Sequence, residues 1–179
     1  MLLKVLCLGW VTDSLKVILA LKGAGFETVV VNTSPTRFFE RVPGLHDDIP
    51  VANLYQGVRI PNLKFLRFLL TVHPHILGSS LLRKLSFLLQ ENGVDFVFAH
   101  RGVGVLPEIA LVKSINPDIP VILNMETFPT TSSAGLRKVV EQKILKKMSW
   151  FLGGLIIPTD EMATFLFKLA PFLKEKSIG

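Results

Sequence analysis

Two apolar runs in this chain end in residues that can do chemistry. Val94 to Ala99, charged only at Asp95, gives way to His100-Arg101-Gly102-Val103-Gly104, and Pro120 to Leu123 gives way to Asn124-Met125-Glu126-Thr127. A carboxylate such as Glu126 can take a proton from a hydroxyl when partial burial tunes its basicity. A histidine can orient that hydroxyl, or hold a phosphate when protonated, and Arg101 adds a permanent cation beside it. Gly102 and Gly104 let a ligand approach the backbone and lead into a helix N-terminus, which suits anions. Each residue also has an ordinary role: Glu126 as a solvated loop acid or a partner for Arg101, His100 as a hydrogen-bond partner for a neighbouring loop.

Other chemistries fit less well. His73-Pro74-His75 offers two metal ligands, but no Cys, Asp or Glu nearby completes the set a zinc site uses. No Gly-x-Ser-x-Gly elbow supports a nucleophilic serine, and the complete Gly-x-Gly-x-x-Gly dinucleotide fingerprint is absent after the first apolar run. Aromatic residues do not alternate with basic ones as a nucleic-acid stacking platform needs, so nucleic acid is not an expected partner.

The residues at the run ends matter only if the runs are neighbouring strands. Continuous apolar runs read as strands buried on both faces, and in open α/β sheets ligands gather where such strands end. A right-handed crossover between the two runs sets His100, Arg101, Asn124 and Glu126 on one rim. The rest of the chain follows the same plan. Residues 2 to 8 form a first strand, and Gly9 breaks it before Asp13 or Ser14 caps a helix over 14–23. Phe26 to Val31 is the next strand, stopped by Asn32-Thr33-Ser34-Pro35. That is strand, helix, strand in about thirty residues, the length of one βαβ unit.

Ile49 to Tyr55 suggests a further strand, and helices are expected over 62–71 and 79–91. Pro107 opens a helix after the His100 strand, and Asn116-Pro117-Asp118 turns the chain into the next strand. Leu136, Val139, Val140, Ile144 and Met148 recur at helical spacing, with Arg137, Lys138, Lys143, Lys146 and Lys147 on other faces. Gly154 to Thr159 is a last short strand, and Thr159 with Asp160 and Glu161 opens a terminal helix. Strands separated by helices throughout predict an α/β fold: a Rossmann-like parallel sheet with helices on both faces. One domain is expected over residues 1–172, with an exposed C-terminal linker over 173–179.

Composition sets the remaining bounds. At 179 residues and 49% hydrophobic content the chain can bury a real core. Its mean hydropathy of +0.47 is high enough to suggest a membrane-facing surface, a large interface, or a sheet covered on both sides. Twenty Lys+Arg against fourteen Asp+Glu give a net charge of +6, which favours an acidic partner. A lone cysteine, Cys7, makes no intrachain disulfide and fits a reducing compartment. The N-terminal run starts at residue 2 without a basic leader and is broken by Lys4, so it reads as a strand and not a signal peptide. Charges interrupt every apolar window of the roughly 18 residues a spanning helix needs. The expectation is a cytoplasmic protein that can also lie on the inner face of a membrane. There the basic helices around 62–90 and 136–148 would meet anionic lipid, with Phe65, Leu66, Phe68 and Leu69 as the buried side, each Lys or Arg contributing about 1 kcal/mol.

The order of elements resembles a known family. The Leu3-Lys4-Val5-Leu6 strand, the Phe98-Ala99-His100 strand end and the Pro120-Val121-Ile122-Leu123 strand with its polar tip come first. The charged helix Glu141 to Met148 then leads into Gly154-Leu155-Ile156-Ile157-Pro158-Thr159. Together they are similar to the N-terminal domain of GT-B glycosyltransferases, group 4-like, over nearly the whole chain. The resemblance implies a Rossmann-like acceptor-binding half, incomplete without a C-terminal donor-binding domain or separate subunit that holds a nucleotide-sugar. It implies no cofactor beyond that donor, which is a substrate. It implies Glu126 and His100 as the catalytic pair near the reacting sugar. Acceptor or phosphate contacts would fall to Gly9, Trp10, Thr12, Arg101, Gly102, Asn124 and Thr127. The first loop, Gly9-Trp10-Val11-Thr12-Asp13, lacks the Gly-Gly pair that many members carry near the donor phosphates. The rival expectation is a non-catalytic Rossmann-like module that docks a partner subunit or a membrane surface.

Overall fold

In the computed structural model, residues 2–44, 49–58, 79–100, 102–126, 146–147 and 149–178 are described. The helix expected over 62–71, most of the basic helix over 136–148, the His73-Pro74-His75 pair, Arg101 and Thr127 lie outside these residues.

Seven parallel strands form one sheet: β1 (Lys4–Gly9), β2 (Glu27–Asn32), β3 (Val51–Asn53), β4 (Phe96–His100), β5 (Val121–Asn124), β6 (Gly154–Ile156) and β7 (Ser177–Ile178), in the spatial order β3-β2-β1-β4-β5-β6-β7. Among the described residues the longer α-helices are α1 (Val11–Gly23), α2 (Ser79–Asn92), α3 (Leu106–Ile115) and α4 (Asp160–Leu169). This is the Rossmann-like α/β sheet expected.

Side chains that alternate along a strand point to opposite faces, and both faces here are apolar. Leu6 and Leu8 of β1 join Val97, Ala99, Leu123 and Leu155 in one buried cluster, packed with Leu81, Leu85 and Leu89 of α2 and Ile109 and Val112 of α3. Val5 and Cys7 of the same strand face the other way, joining Val30, Phe98 and the α1 residues Val11 and Ile18. A sheet covered on two sides, one of the sources of high hydropathy that the composition suggested, is thus present.

Two of the strands are shorter than expected, Val51–Asn53 within 49–55 and Gly154–Ile156 within 154–159, and two further differences change the packing. Helix α1 begins at Val11, three residues before the expected start, and its N-cap is Trp10 with no side-chain hydrogen bond. Ser14 is buried inside the first turn and donates its Oγ hydrogen to the Trp10 carbonyl at 2.9 Å. The strand runs to Gly9 and the helix follows after one residue, which leaves Asp13 and Ser14 no room to cap. At the other end, the linker expected over 173–179 is part of the fold. Pro171–Lys176 form a 3₁₀ helix that buries Leu173 completely, and Ser177–Ile178 extend the sheet beside β6. Thr159 caps α4 as expected, accepting from the Met162 N–H at 3.2 Å.

Candidate active site

Because all seven strands run parallel, their carboxyl ends form one rim. β2 and β3 lie on one side of β1 and β4 to β7 on the other, so the order of strands reverses between β1 and β4. Connections that diverge at such a point leave a crevice outside the strand ends, where open α/β sheets bind ligands.

Gly9 ends β1 at this reversal and His100 ends β4 beside it. A side chain on Gly9 would have no space: an added Cβ would sit 2.8 Å from the Ser14 hydroxyl and 2.9 Å from the His100 carbonyl oxygen. The missing side chain lets β1, α1 and the tip of β4 meet. His100 pairs in register with Asn124 at the end of β5. The Asn124 Nδ2 lies 3.1 Å from the His100 Nδ1. Past the end of the strand Met125 donates its N–H to the Ile156 carbonyl at 2.9 Å, and this keeps Glu126 at the rim. The Glu126 Oε2 lies 3.1 Å from the His100 Nε2, with the imidazole side chain 2% exposed and the carboxylate 48% exposed. The Nε2 contact is close but out of line for a hydrogen bond, and Nε2 is buried with no aligned partner among the described residues.

The structure thus brings together Gly9, His100, Asn124 and Glu126. His100 is too deep to meet a ligand itself and stands behind Glu126. Trp10 is half-buried at the start of α1, and Thr12 is exposed two residues on, its hydroxyl donating to Asp13 at 3.2 Å. Gly102 opens a short 3₁₀ turn, Gly102–Val105, that leads into α3. The anion-binding expectation there meets a competitor that sequence reasoning missed. Glu108 in the first turn of α3 is fully buried and accepts a 2.6 Å hydrogen bond from the Tyr55 hydroxyl, so a carboxyl group already occupies the positive end of this helix.

A second polar cluster, also missed, sits at the carboxyl ends of β2 and β3. Asn32 donates to the Arg37 carbonyl at 2.6 Å and to Asn53 Oδ1 at 2.9 Å, and its own oxygen accepts from Ser34 N–H at 3.1 Å. Asn53 donates to the Phe39 carbonyl at 2.6 Å and accepts from Phe39 N–H at 3.0 Å. The sequence signal was the Asn32-Thr33-Ser34 spacing, which lets an asparagine side chain bond the backbone two residues on.

Cys7, under α1, has its thiol pushed up to about 12 by burial. It faces away from the rim chemistry, in the apolar cluster with Val30 and Ile18. Among the described residues, no helix is long and apolar enough to cross a membrane.

Comparison with solved structures places this fold. The chain aligns with a UDP-N-acetylglucosamine 2-epimerase from Rickettsia bellii at a TM-score of 0.58 and 14% identity, over 99% of this chain and 44% of that one. It aligns with MurG of Acinetobacter baumannii at a TM-score of 0.52 and 14% identity, over 89% of this chain and 42% of that one. Both are GT-B proteins, so the chain has the Rossmann-like fold found in GT-B architectures and spans less than half the length of either neighbour. No protein-family model matches the sequence, and no curated protein matches it.

Proposed function

We propose that this chain is the acceptor-side half of a glycosyltransferase that moves a sugar from a nucleotide-sugar donor to a hydroxyl of a lipid-linked or saccharide acceptor. A second half, in the same polypeptide or a separate subunit, supplies most donor contacts. The observation that carries the reading is Glu126: a half-exposed carboxylate at the strand-order reversal, backed by a buried imidazole 3.1 Å away. In the reaction the carboxylate takes the proton of the acceptor hydroxyl. The hydroxyl oxygen then bonds to the anomeric carbon as the bond from that carbon to the donor phosphate breaks, its electron pair leaving with the nucleotide. The epimerase neighbour acts on UDP-N-acetylglucosamine, which makes UDP-sugars the first donors to try.

The test uses the chain together with its second half, as an extended polypeptide or a co-expressed subunit, and follows nucleotide release and sugar transfer from a panel of UDP- and GDP-sugars. Glu126→Gln should lower turnover by about 10²–10⁴-fold while the far-ultraviolet circular dichroism is unchanged. Turnover that survives Glu126→Gln would remove the base assignment.

One observation favours the second reading, a non-catalytic module on a membrane surface. Trp150 is 82% exposed, on a helical stretch with exposed Lys146 and Lys147, a pairing of amphipathic ring and cation suited to an anionic interface. Sedimentation with vesicles containing phosphatidylserine, lost in Trp150→Ser and absent with neutral vesicles, would support it. If no donor is turned over in that case, it would replace the catalytic reading.

A further inference from the structure

We infer that Asn124 is a positioning residue that fixes His100 as the neutral tautomer with its proton on Nε2. The donors and acceptors of the three side chains decide the tautomer. The nitrogen of an asparagine side chain carries two hydrogens and accepts nothing, and an ionised carboxylate only accepts. At 3.1 Å the Asn124 Nδ2 faces the His100 Nδ1, so that ring nitrogen must offer a lone pair. At 3.1 Å the Glu126 Oε2 lies beside Nε2 without lining up as a hydrogen bond, and an N–H there meets the carboxylate's charge better than a lone pair does. A neutral imidazole has one proton to place, and in this tautomer the Nδ1 lone pair meets Asn124 while the Nε2 hydrogen stands beside the Glu126 carboxylate, though out of line with it. The other would set an N–H against the amide hydrogens of Asn124 and a lone pair against the carboxylate, both inside a site where the ring is 2% exposed and mismatches are costly.

Two consequences follow. With one nitrogen turned to Asn124 and the other to Glu126, His100 has no lone pair free for a metal and no edge open to a phosphate, so its work is done through Glu126. The out-of-line Nε2 contact turns the Glu126 carboxylate without closing it off, and the carboxylate keeps its open side for the proton of an acceptor hydroxyl. That second consequence rests on the proposed base role of Glu126; the tautomer does not.

Long-range ¹H–¹⁵N correlation spectra of the uniformly ¹⁵N-labelled full chain test the assignment. The chain has four histidines, and His100→Gln identifies the signals of this one. The wild-type ring should show a pyridine-type Nδ1 and a pyrrole-type Nε2 at neutral pH. Asn124→Asp keeps the shape but only accepts, so it should move a proton onto Nδ1. Asn124→Ser, whose hydroxyl can donate, should leave the wild-type pattern in place. A protonated Nδ1 in the wild type, or a tautomer that ignores Asn124→Asp in a folded variant, would overturn the inference. If Asn124→Asp fails to fold, the wild-type spectrum still decides. A confirmed tautomer with undiminished transfer by Glu126→Gln would remove the base role and leave the positioning intact; the reverse pair of results would do the opposite.

Discussion

At the β2–β3 end of the carboxyl rim, Asn32 and Asn53 commit every polar side-chain atom to each other and to the backbone of residues 34–39. At the β4–β5 end, Asn124 and His100 lead instead to a carboxylate that faces solvent. Both clusters hold an asparagine at the end of a parallel strand, one strand away from β1 on the β2 side and two on the β5 side. What separates them is where the last polar atom points. A cluster whose hydrogen bonds all close internally can hold a loop but has nothing left for a ligand, whereas one that ends on an exposed carboxylate leaves a polar group turned to solvent. The same residue type closes a loop in one place and leads toward solvent in the other.

The sharpest way to break this contrast is to remove function without structure at one end and structure without function at the other. Glu126→Gln has the larger expected effect, the loss in turnover of about 10²–10⁴-fold given above, with a melting temperature within a degree or so of wild type because an exposed carboxylate contributes little to stability. At the other end, Asn32→Ala leaves buried partners without bonds and should cost about 2–3 kcal/mol. For a chain of this size that is a fall in melting temperature of roughly 4–12 °C, read by thermal denaturation. Its effect on turnover, measured below the melting range, should be far smaller than that of Glu126→Gln. An Asn32→Ala protein as stable as wild type would show that the loop over residues 34–39 is held by something else.

Gly9 sits between the two ends and should report on both. Gly9→Ala pushes a Cβ against the Ser14 hydroxyl and the His100 carbonyl, an overpacking that costs about 1–3 kcal/mol. Because the obstruction includes the backbone of His100, the variant should also shift the His100 ring signals in the ¹⁵N spectrum. Unchanged ring signals together with lost stability would place the accommodation in Ser14 and α1 alone.

The sequence made the sheet plain because its strands are buried on both faces. Continuous runs such as Val5–Leu8 and Val121–Leu123 are of strand length and too short for a buried helix, and the Thr159 cap and Asn116 turn carry their own chemistry. His100, Asn124 and Glu126 were legible because they end apolar runs abruptly. The depth of His100 was not, since a strand-end histidine can turn inward or outward without changing the pattern. Asn32 and Asn53 were hidden by distance: their bond joins residues 21 apart, and no periodicity marks such a pair. Glu108 was masked for a related reason, as an acid in a first helical turn ordinarily faces water, while here a tyrosine 53 positions away accepts the task of satisfying it. The short strand β7 carries too little apolar signal to stand out from a charged tail, and only its place beside β6 makes it a strand.

Cys7 offers the finest probe of the contrast, because it belongs to the apolar cluster shared with Val30, Val42, Ile49 and Val51 on the β2–β3 side. Its thiol is held protonated by burial, with its pKa pushed from 9.0 up to about 12, and only the thiolate reacts with alkylating or disulfide reagents. Native protein at pH 7.5 should therefore label only as fast as it opens. Opening should be faster in Asn32→Ala, which loosens that side, and unchanged in Glu126→Gln. Equal labelling in the two variants would mean that the Asn32 cluster does not hold the α1 side of the sheet. The same thiol gives a small pH effect whose sign is fixed. Below pH 9 both folded and unfolded chains carry the proton, and the thiol adds no pH dependence. Between about pH 9 and 12 the unfolded chain can ionise Cys7 and the folded chain cannot, so the unfolded state binds fewer protons and stability falls as pH rises. The slope approaches about 1.4 kcal/mol per pH unit. Other groups titrate in that range, so the quantity to measure is the difference between wild type and Cys7→Ala in urea unfolding at pH 8 and pH 10. The wild type should lose about 1 kcal/mol relative to the variant over that interval. A constant difference would show that Cys7 ionises as readily in the folded chain as in the unfolded one, and that the α1 face admits water beside β1.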